Sequence, residues 1–166
     1  LNPSQFDSAA DLENYPADLE ADLEACRQAG VDIVLLGERA EFLPEGFQSW
    51  VFVEKVTEGL CVAGRPCHFR GVTTVVTQLF HVVKPWRAYF GLKDFQQAKI
   101  ISRMVADLFF DVELRLMPTV RSDDGLAVSS RNRRLSAAER EQALAIGESL
   151  KSASRLLAAG EVSVAS

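Results

Sequence analysis

Apolar positions recur along this chain with two periods, and each period sketches a different element. Ile101, Met104, Val105 and Leu108 fall at helical spacing. So do Val72, Val75, Val76, Leu79, Phe80 and Val83, which predict a helix over residues 72–83. That segment is rich in β-branched residues and would also suit a strand; the periodicity decides for helix. Leu19, Leu23 and Cys26 mark one face of a helix over residues 17–29, with Gly30 as its stop signal. Ser136-Ala-Ala-Glu139 is a capping box. It opens a long helix whose apolar face carries Ala143, Ile146, Leu150, Ala153 and Leu157 and which ends at Gly160. That face calls for a partner, which a second domain could supply. Residues 111–117 follow the other period. Val112, Leu114 and Leu116 alternate with Asp111, Glu113 and Arg115, as in a strand with one wet face near a sheet edge. Residues 31–36 are almost continuously apolar between glycines, which predicts a parallel strand buried on both faces. Residues 50–53, aromatic and β-branched, are a further strand candidate. Helices alternating with such strands specify an α/β fold with a parallel sheet.

The most informative stretch is residues 87–97, Arg-Ala-Tyr-Phe-Gly-Leu-Lys-Asp-Phe-Gln-Gln. It reads as a short apolar strand, a turn at Gly91 and a helix start with Asp94 as its cap. Open α/β sheets bind ligands at such turns, beyond the carboxyl ends of the strands. The new helix offers free N–H groups and a positive dipole end, both suited to phosphate. Carried back one turn, the stripe of Ile101 and Met104 reaches Gln97; carried back another, it reaches Lys93. An amide and a cation on the line of a core-facing stripe suit a cleft, because buried polar groups without partners are costly. The competing reading is a solvated first turn with an ordinary cap.

Composition narrows the class. The 166 residues suffice for a domain with a real core, and 48% hydrophobic with 25% charged residues is ordinary for a globular chain. A net charge of −5 argues against nucleic acid as partner. Cys26, Cys61 and Cys67 form no disulfide framework and, with two histidines, no zinc spacing; a reducing cytoplasm is the natural compartment. The most apolar run, residues 72–83, is too short to span a bilayer, and no signal peptide is visible. The chain begins at Leu1 rather than methionine and ends on a helix tail, which suggests part of a longer protein.

Other polar groups have two readings each. Asn2 and Gln5 sit where a strand breaks at Pro3, and turn chemistry accounts for them. Asp18, Glu20, Asp22 and Glu24 crowd a helix start, where the dipole favours acids; a magnesium role for Asp22 is the alternative. Arg65, His68 and Arg70 form a basic loop feeding a helix, where His68 either contacts an anion or hydroxyl or merely caps. His81 lies off the stripe, exposed. Residues 126–134, Leu-Ala-Val-Ser-Ser-Arg-Asn-Arg-Arg, are either a basic surface turn or a phosphate-binding loop of hydroxyls and a guanidinium fork.

Together these pieces form a family pattern. Asn2-Pro-Ser-Gln-Phe6, Tyr15-Pro16, Glu58-Gly-Leu-Cys61, Arg65-Pro-Cys-His-Phe69, Gly71-Val-Thr-Thr-Val-Val76, Tyr89-Phe-Gly-Leu-Lys-Asp94, Gln96-Gln97, Pro118-Thr-Val-Arg121 and Asp124-Gly-Leu-Ala-Val-Ser-Ser-Arg-Asn132 resemble the pantoate–β-alanine ligases in order and spacing, over almost the whole chain. The resemblance implies a Rossmann-like α/β fold, a parallel sheet flanked by helices of nucleotidyl-transferase type. It implies residues 1–135 as most of the ATP- and pantoate-binding domain and residues 136–166 as the first helix of a small C-terminal domain. It implies ATP-dependent joining of pantoate to β-alanine through a pantoyl-adenylate, with magnesium, in a cytoplasmic homodimer. Gly91, Leu92, Lys93, Asp94, Val120, Val128, Ser129, Ser130 and Arg131 would fall on the ATP site, with Lys93 and Arg131 as the catalytic cations. Gln5 and Gln97 would hold pantoate, Gln5 also nearing β-alanine, with Asn2, Arg65 and His68 lining the same region. The chain departs from the pattern in lacking the His-x-Gly-His segment that precedes Asn2 and most of the C-terminal domain, so the fragment is expected to be impaired. Leu92 replaces a usual glutamate, and Cys67 and Gln78 are unusual. The alternatives are a noncatalytic nucleotide-binding module and another nucleotidyl transferase of this fold; the paired glutamines favour the ligase over the latter.

Overall fold

The structure is a computed structural model that describes residues 13, 15, 17–56 and 68–161. It divides into two compact units, Leu1–Met117 and Pro118–Ser166.

In the first unit, helix α1 (Leu19–Gln28) starts where the side chain of Asp18 accepts a bond from the Ala21 N–H at 3.0 Å. It stops at Gly30, whose φ of +75° suits glycine. A short helix α2 (Arg39–Phe42) follows. Helix α3 (His68–Val83) begins four residues earlier than the apolar spacing indicates, because Phe69 and Gly71 are also buried. Strand β1 (Arg87–Gly91), a 3₁₀ turn (Leu92–Asp94), helix α4 (Phe95–Asp107) and strand β2 (Glu113–Met117) complete a βαβ unit. The strands pair in parallel, with Arg87 opposite Glu113 and Gly91 opposite Met117. Across the first of these pairs Arg87 Nε donates to Glu113 Oε2 at 2.7 Å.

The core lies between α3, α4 and the strands. Phe69, Val72, Phe80, Ile100, Ile101 and Met104 are buried, with Ala88, Phe90 and Leu114 packed against them. Ile100 and Ile101 are fully enclosed. Each such side chain contributes about 1.5–3 kcal/mol of transfer free energy. The stripe on α4 keeps Ile101, Met104 and Val105 against the core and is widened by Ala98 and Ile100, while Leu108 is exposed. On α3 the enclosed positions include Thr73 and Thr74, and Val83 is exposed.

Two strand expectations are corrected. Residues 50–53 have the right alternation, Val51 and Val53 inward and Trp50 and Phe52 outward, but no ladder. Threonine side chains replace it. The Val51 N–H donates to Thr74 Oγ1 at 3.0 Å, and Thr73 Oγ1 donates to the Val51 carbonyl at 2.6 Å. Residues 31–36 are neither a strand nor buried; Ile33 is 86% exposed. Apolar composition makes a strand only where a neighbour supplies the ladder, and among the described residues the sheet consists of β1 and β2. Gln78 donates to the Phe42 carbonyl at 2.7 Å, while its own carbonyl oxygen is buried without a donor. His81 is exposed, as its place off the stripe indicates, and touches the Phe110 ring edge-on.

The second unit holds a tight turn closed by an antiparallel bridge between Arg121 and Ala127, a 3₁₀ segment (Ser130–Arg134) and helix α5 (Ala137–Ala158). The capping box forms as its sequence requires: Ser136 and Glu139 each satisfy the other's backbone N–H. No residue of α5 is buried, and Ile146, Leu150 and Leu157 are all more than half exposed.

Candidate functional site

The candidate residues fall into two groups, one in each unit. Asn2, Gln5 and Arg65 lie outside the described residues.

In the first unit, β1 ends at Gly91 and delivers the chain into the 3₁₀ turn Leu92–Asp94 at the carboxyl edge of the sheet. Gly91 keeps an extended φ of −79°, so the strand runs to its last residue without a left-handed step. A Cβ built on Gly91 would meet nothing within 4 Å. The space beside it is therefore open. Asp94 occupies the N-cap position of α4 but makes no cap hydrogen bond, which corrects the expected capping role. Its carboxylate instead faces Lys93, with Nζ to Oδ1 at 3.5 Å and both side chains substantially exposed. The side chain of Asp94 therefore leaves the N–H groups of the first α4 turn without a cap of its own. One turn into the helix, Gln97 is half-buried and its amide makes no hydrogen bond among the described residues. A partly buried amide with open donors and acceptor is a costly ornament for a core but a useful one for a hydroxyl or carboxylate ligand. His68 opens α3 half-buried, its ring edge-on to Phe69 at 4.9 Å.

In the second unit, the turn presents Val120 and Val128 side by side. The Val128 N–H donates to the Val120 carbonyl at 3.0 Å, and both side chains are largely exposed. Ser129 caps the 3₁₀ segment by accepting from the Arg131 N–H at 3.3 Å. Asn132 Nδ2 donates back to the Ala127 carbonyl at 2.9 Å, fixing the segment against the turn. Ser130 is half-buried and Arg131 exposed.

The sequence did not point to the clamp behind this turn. Asp124 Oδ1 accepts from Ser122 Oγ at 2.7 Å and from the Leu126 N–H at 3.1 Å. Its Oδ2 accepts from Arg140 Nε, on α5, at 2.8 Å, and Arg140 also donates to Ser122 Oγ at 3.2 Å. The Ser122 hydroxyl, then the Leu126 N–H, and then Arg140 hold the Asp124 carboxyl below the usual range. Gly125 closes the turn at φ +89°. The clamp joins residues sixteen positions apart, so no local period reveals it.

No group of three or more His, Cys, Asp or Glu side chains that could hold a metal ion occurs among the described residues. Asp22 sits exposed on α1.

Comparison with known proteins places these elements in context. The family model described as pantoate-beta-alanine ligase matches residues 1–165. A pantothenate synthetase of Geobacter sp. (strain M21) is 52% identical over 99% of this chain and 59% of its own length. One from Moorella thermoacetica is 52% identical over 97% of the chain and 57% of its own length. Among solved structures, the pantothenate synthetase of Thermus thermophilus superposes with a TM-score of 0.90 at 46% identity, covering 96% of this chain and 58% of that one. A pantoate-beta-alanine ligase of Francisella tularensis, complexed with beta-gamma ATP and beta-alanine, superposes with a TM-score of 0.83 at 33% identity, over 91% and 58%. The chain spans less than three-fifths of the length of the curated relatives it matches.

Proposed function

The chain belongs to the pantoate–β-alanine ligase family, and from that premise we propose that the protein of which it is a part condenses pantoate with β-alanine at the expense of ATP. The carboxylate oxygen of pantoate attacks the α-phosphorus of ATP, and the bond to the β-phosphate breaks to release pyrophosphate. The amine of β-alanine then attacks the acyl carbon of the pantoyl-adenylate, forming the amide and releasing AMP. The first step gathers negative charge on phosphate oxygens, and cations with fixed N–H groups are what lower its barrier.

In this reading Lys93 and Arg131 supply the cations, from the turn after β1 and from the 3₁₀ segment. Gly91, Leu92 and Asp94 give the nucleotide backbone contacts beside open space, and Val120, Val128, Ser129 and Ser130 complete its site. Gln97 and Gln5 hold pantoate through neutral amides, which bind hydroxyls without competing for phosphate. Asn2, Arg65 and His68 line the same region. Magnesium bound with the nucleotide would supply neutralisation of the triphosphate charge, alongside Lys93 and Arg131. A homodimer in the cytoplasm, with the domain boundary at residues 135/136, completes the proposal.

The observation that carries it is the placing of Lys93 and, four residues on, the half-buried amide of Gln97 in the turn and helix start that follow the carboxyl end of β1. The test is AMP release by the full-length protein, which should require both pantoate and β-alanine; AMP formed without pantoate would overturn the reading. Lys93→Ala should slow adenylate formation by about a hundredfold or more, the scale of removing one transition-state contact, with the thermal melting curve unchanged.

A further inference from the structure

A second basic site lies within the Pro118–Ser166 unit, apart from the residues assigned above. A cavity of about 400 Å³ is lined by Arg121, Gly147, Leu150, Lys151, Ser154 and Arg155. Five of the six come from one face of α5, at successive turns, and Arg121 enters from the turn. Three cations and a hydroxyl therefore line it, and no carboxylate does. Other cavities among the described residues differ in this respect. Asp111 lines the one beside His81 and Lys84, Glu41 the one beside Phe42 and Gln78, and Glu54 and Asp107 the one beside Lys55 and Arg103.

The cations are only partly spoken for. Arg121 gives one N–H, on Nη1, to the Gly125 carbonyl at 3.0 Å, which leaves most of its fork for a ligand. Lys151 pairs with Glu148 at 2.7 Å on the surface, both side chains more than half exposed. Among the described residues, Arg155 has no side-chain hydrogen bond and no ion pair within 4 Å. Lys151 and Arg155 stand at i and i+4, a spacing at which like charges repel. One carboxylate against three guanidinium and ammonium groups leaves an excess of positive charge, in a chain whose net charge is −5. The field is felt locally: Lys151 first, and Arg155 more weakly, lower the Glu148 carboxyl. Gly147 keeps the floor low. A Cβ there would touch the Gly125 carbonyl and Arg121 Nη1 at 3.5 and 3.7 Å.

We propose that this cavity binds a compact polyanion of the diphosphate class, held by the Arg121 fork, Lys151, Arg155 and the Ser154 hydroxyl. Two guanidinium planes and an ammonium match tetrahedral oxyanions better than a single carboxylate. The lining has no aromatic ring to stack a base, so the diphosphate group, rather than a nucleoside attached to it, is the recognised part.

The experiment titrates inorganic pyrophosphate, and in a second arm ADP, into the isotopically labelled full-length protein and follows amide shifts by NMR. The inference expects shifts at Gly147, Leu150 and Ser154, with ADP binding there no more tightly than pyrophosphate. Arg155→Gln and, separately, Lys151→Gln should each weaken that binding by about tenfold at low salt, the scale of one charge-assisted contact, and added salt should weaken it further. Both positions are exposed on α5, and unchanged circular dichroism would show that the variants fold. Shifts confined to residues 92–95 and 129–131 would overturn this inference and leave the ligase reading intact. Shifts on α5 that survive both substitutions would overturn it as well.

Discussion

Residues 31–36 and strand β1 invite comparison. Both are short apolar runs that announce buried strands. In β1, Ala88 and Phe90 face the core and the backbone pairs with β2 in parallel. In residues 31–36 no ladder forms, and every residue is exposed. The difference lies outside the runs themselves. Helix α4 returns the chain so that β2 lies beside β1, whereas among the described residues no strand lies beside residues 31–36. Burial is a property of a pair of surfaces, and a run of valines and leucines states only half of it.

Substitutions at three positions test that contrast. The largest effect is expected at Ile101, fully enclosed between the helices and the sheet. Ile101→Ala should cost about 2–5 kcal/mol, the range for emptying a packed core position, measured by urea unfolding. A loss below about 1 kcal/mol would mean that this core is loose. Thr73 comes next, because its hydroxyl replaces a missing strand ladder at the Val51 carbonyl. Thr73→Val keeps the shape but leaves that carbonyl without its donor, at about 1–3 kcal/mol; hydrogen exchange of the Val51 amide, which is bound to Thr74, should quicken with it. An unchanged exchange rate would detach the extended segment from α3. The smallest effect belongs to Ile33, where Ile33→Ala should stay within about 0.5 kcal/mol, as for surface changes generally. A core-sized loss there would show that residues 31–36 are covered in solution.

What could be read from the sequence was what is written locally. The capping box at Ser136 and Glu139, the strand-turn-helix at Gly91 and the alternation through Leu114 each depend on residues a few positions apart, and each formed. Thr73 and Thr74 could not be read as core residues, since their burial depends on the backbone of Val51, more than twenty positions away. The Asp94 cap differs: its partner is the adjacent Lys93, whose ammonium lies 3.5 Å from the carboxylate while no cap bond forms. At the candidate site, Lys93 and Gln97 were visible because a helix repeats, and Ser129 to Arg131 because hydroxyls beside an arginine are conspicuous. The clamp of Asp124 and Arg140 was invisible, because a turn and a distant helix share no period.

Gly91 ends a strand in a conformation that any residue could adopt, beside space that no atom of the described residues fills within 4 Å of a built Cβ. The absent methyl is therefore not owed to the polypeptide's own geometry. A side chain grafted at that point should leave the fold undisturbed; under the reading proposed above, the nucleotide alone would register it.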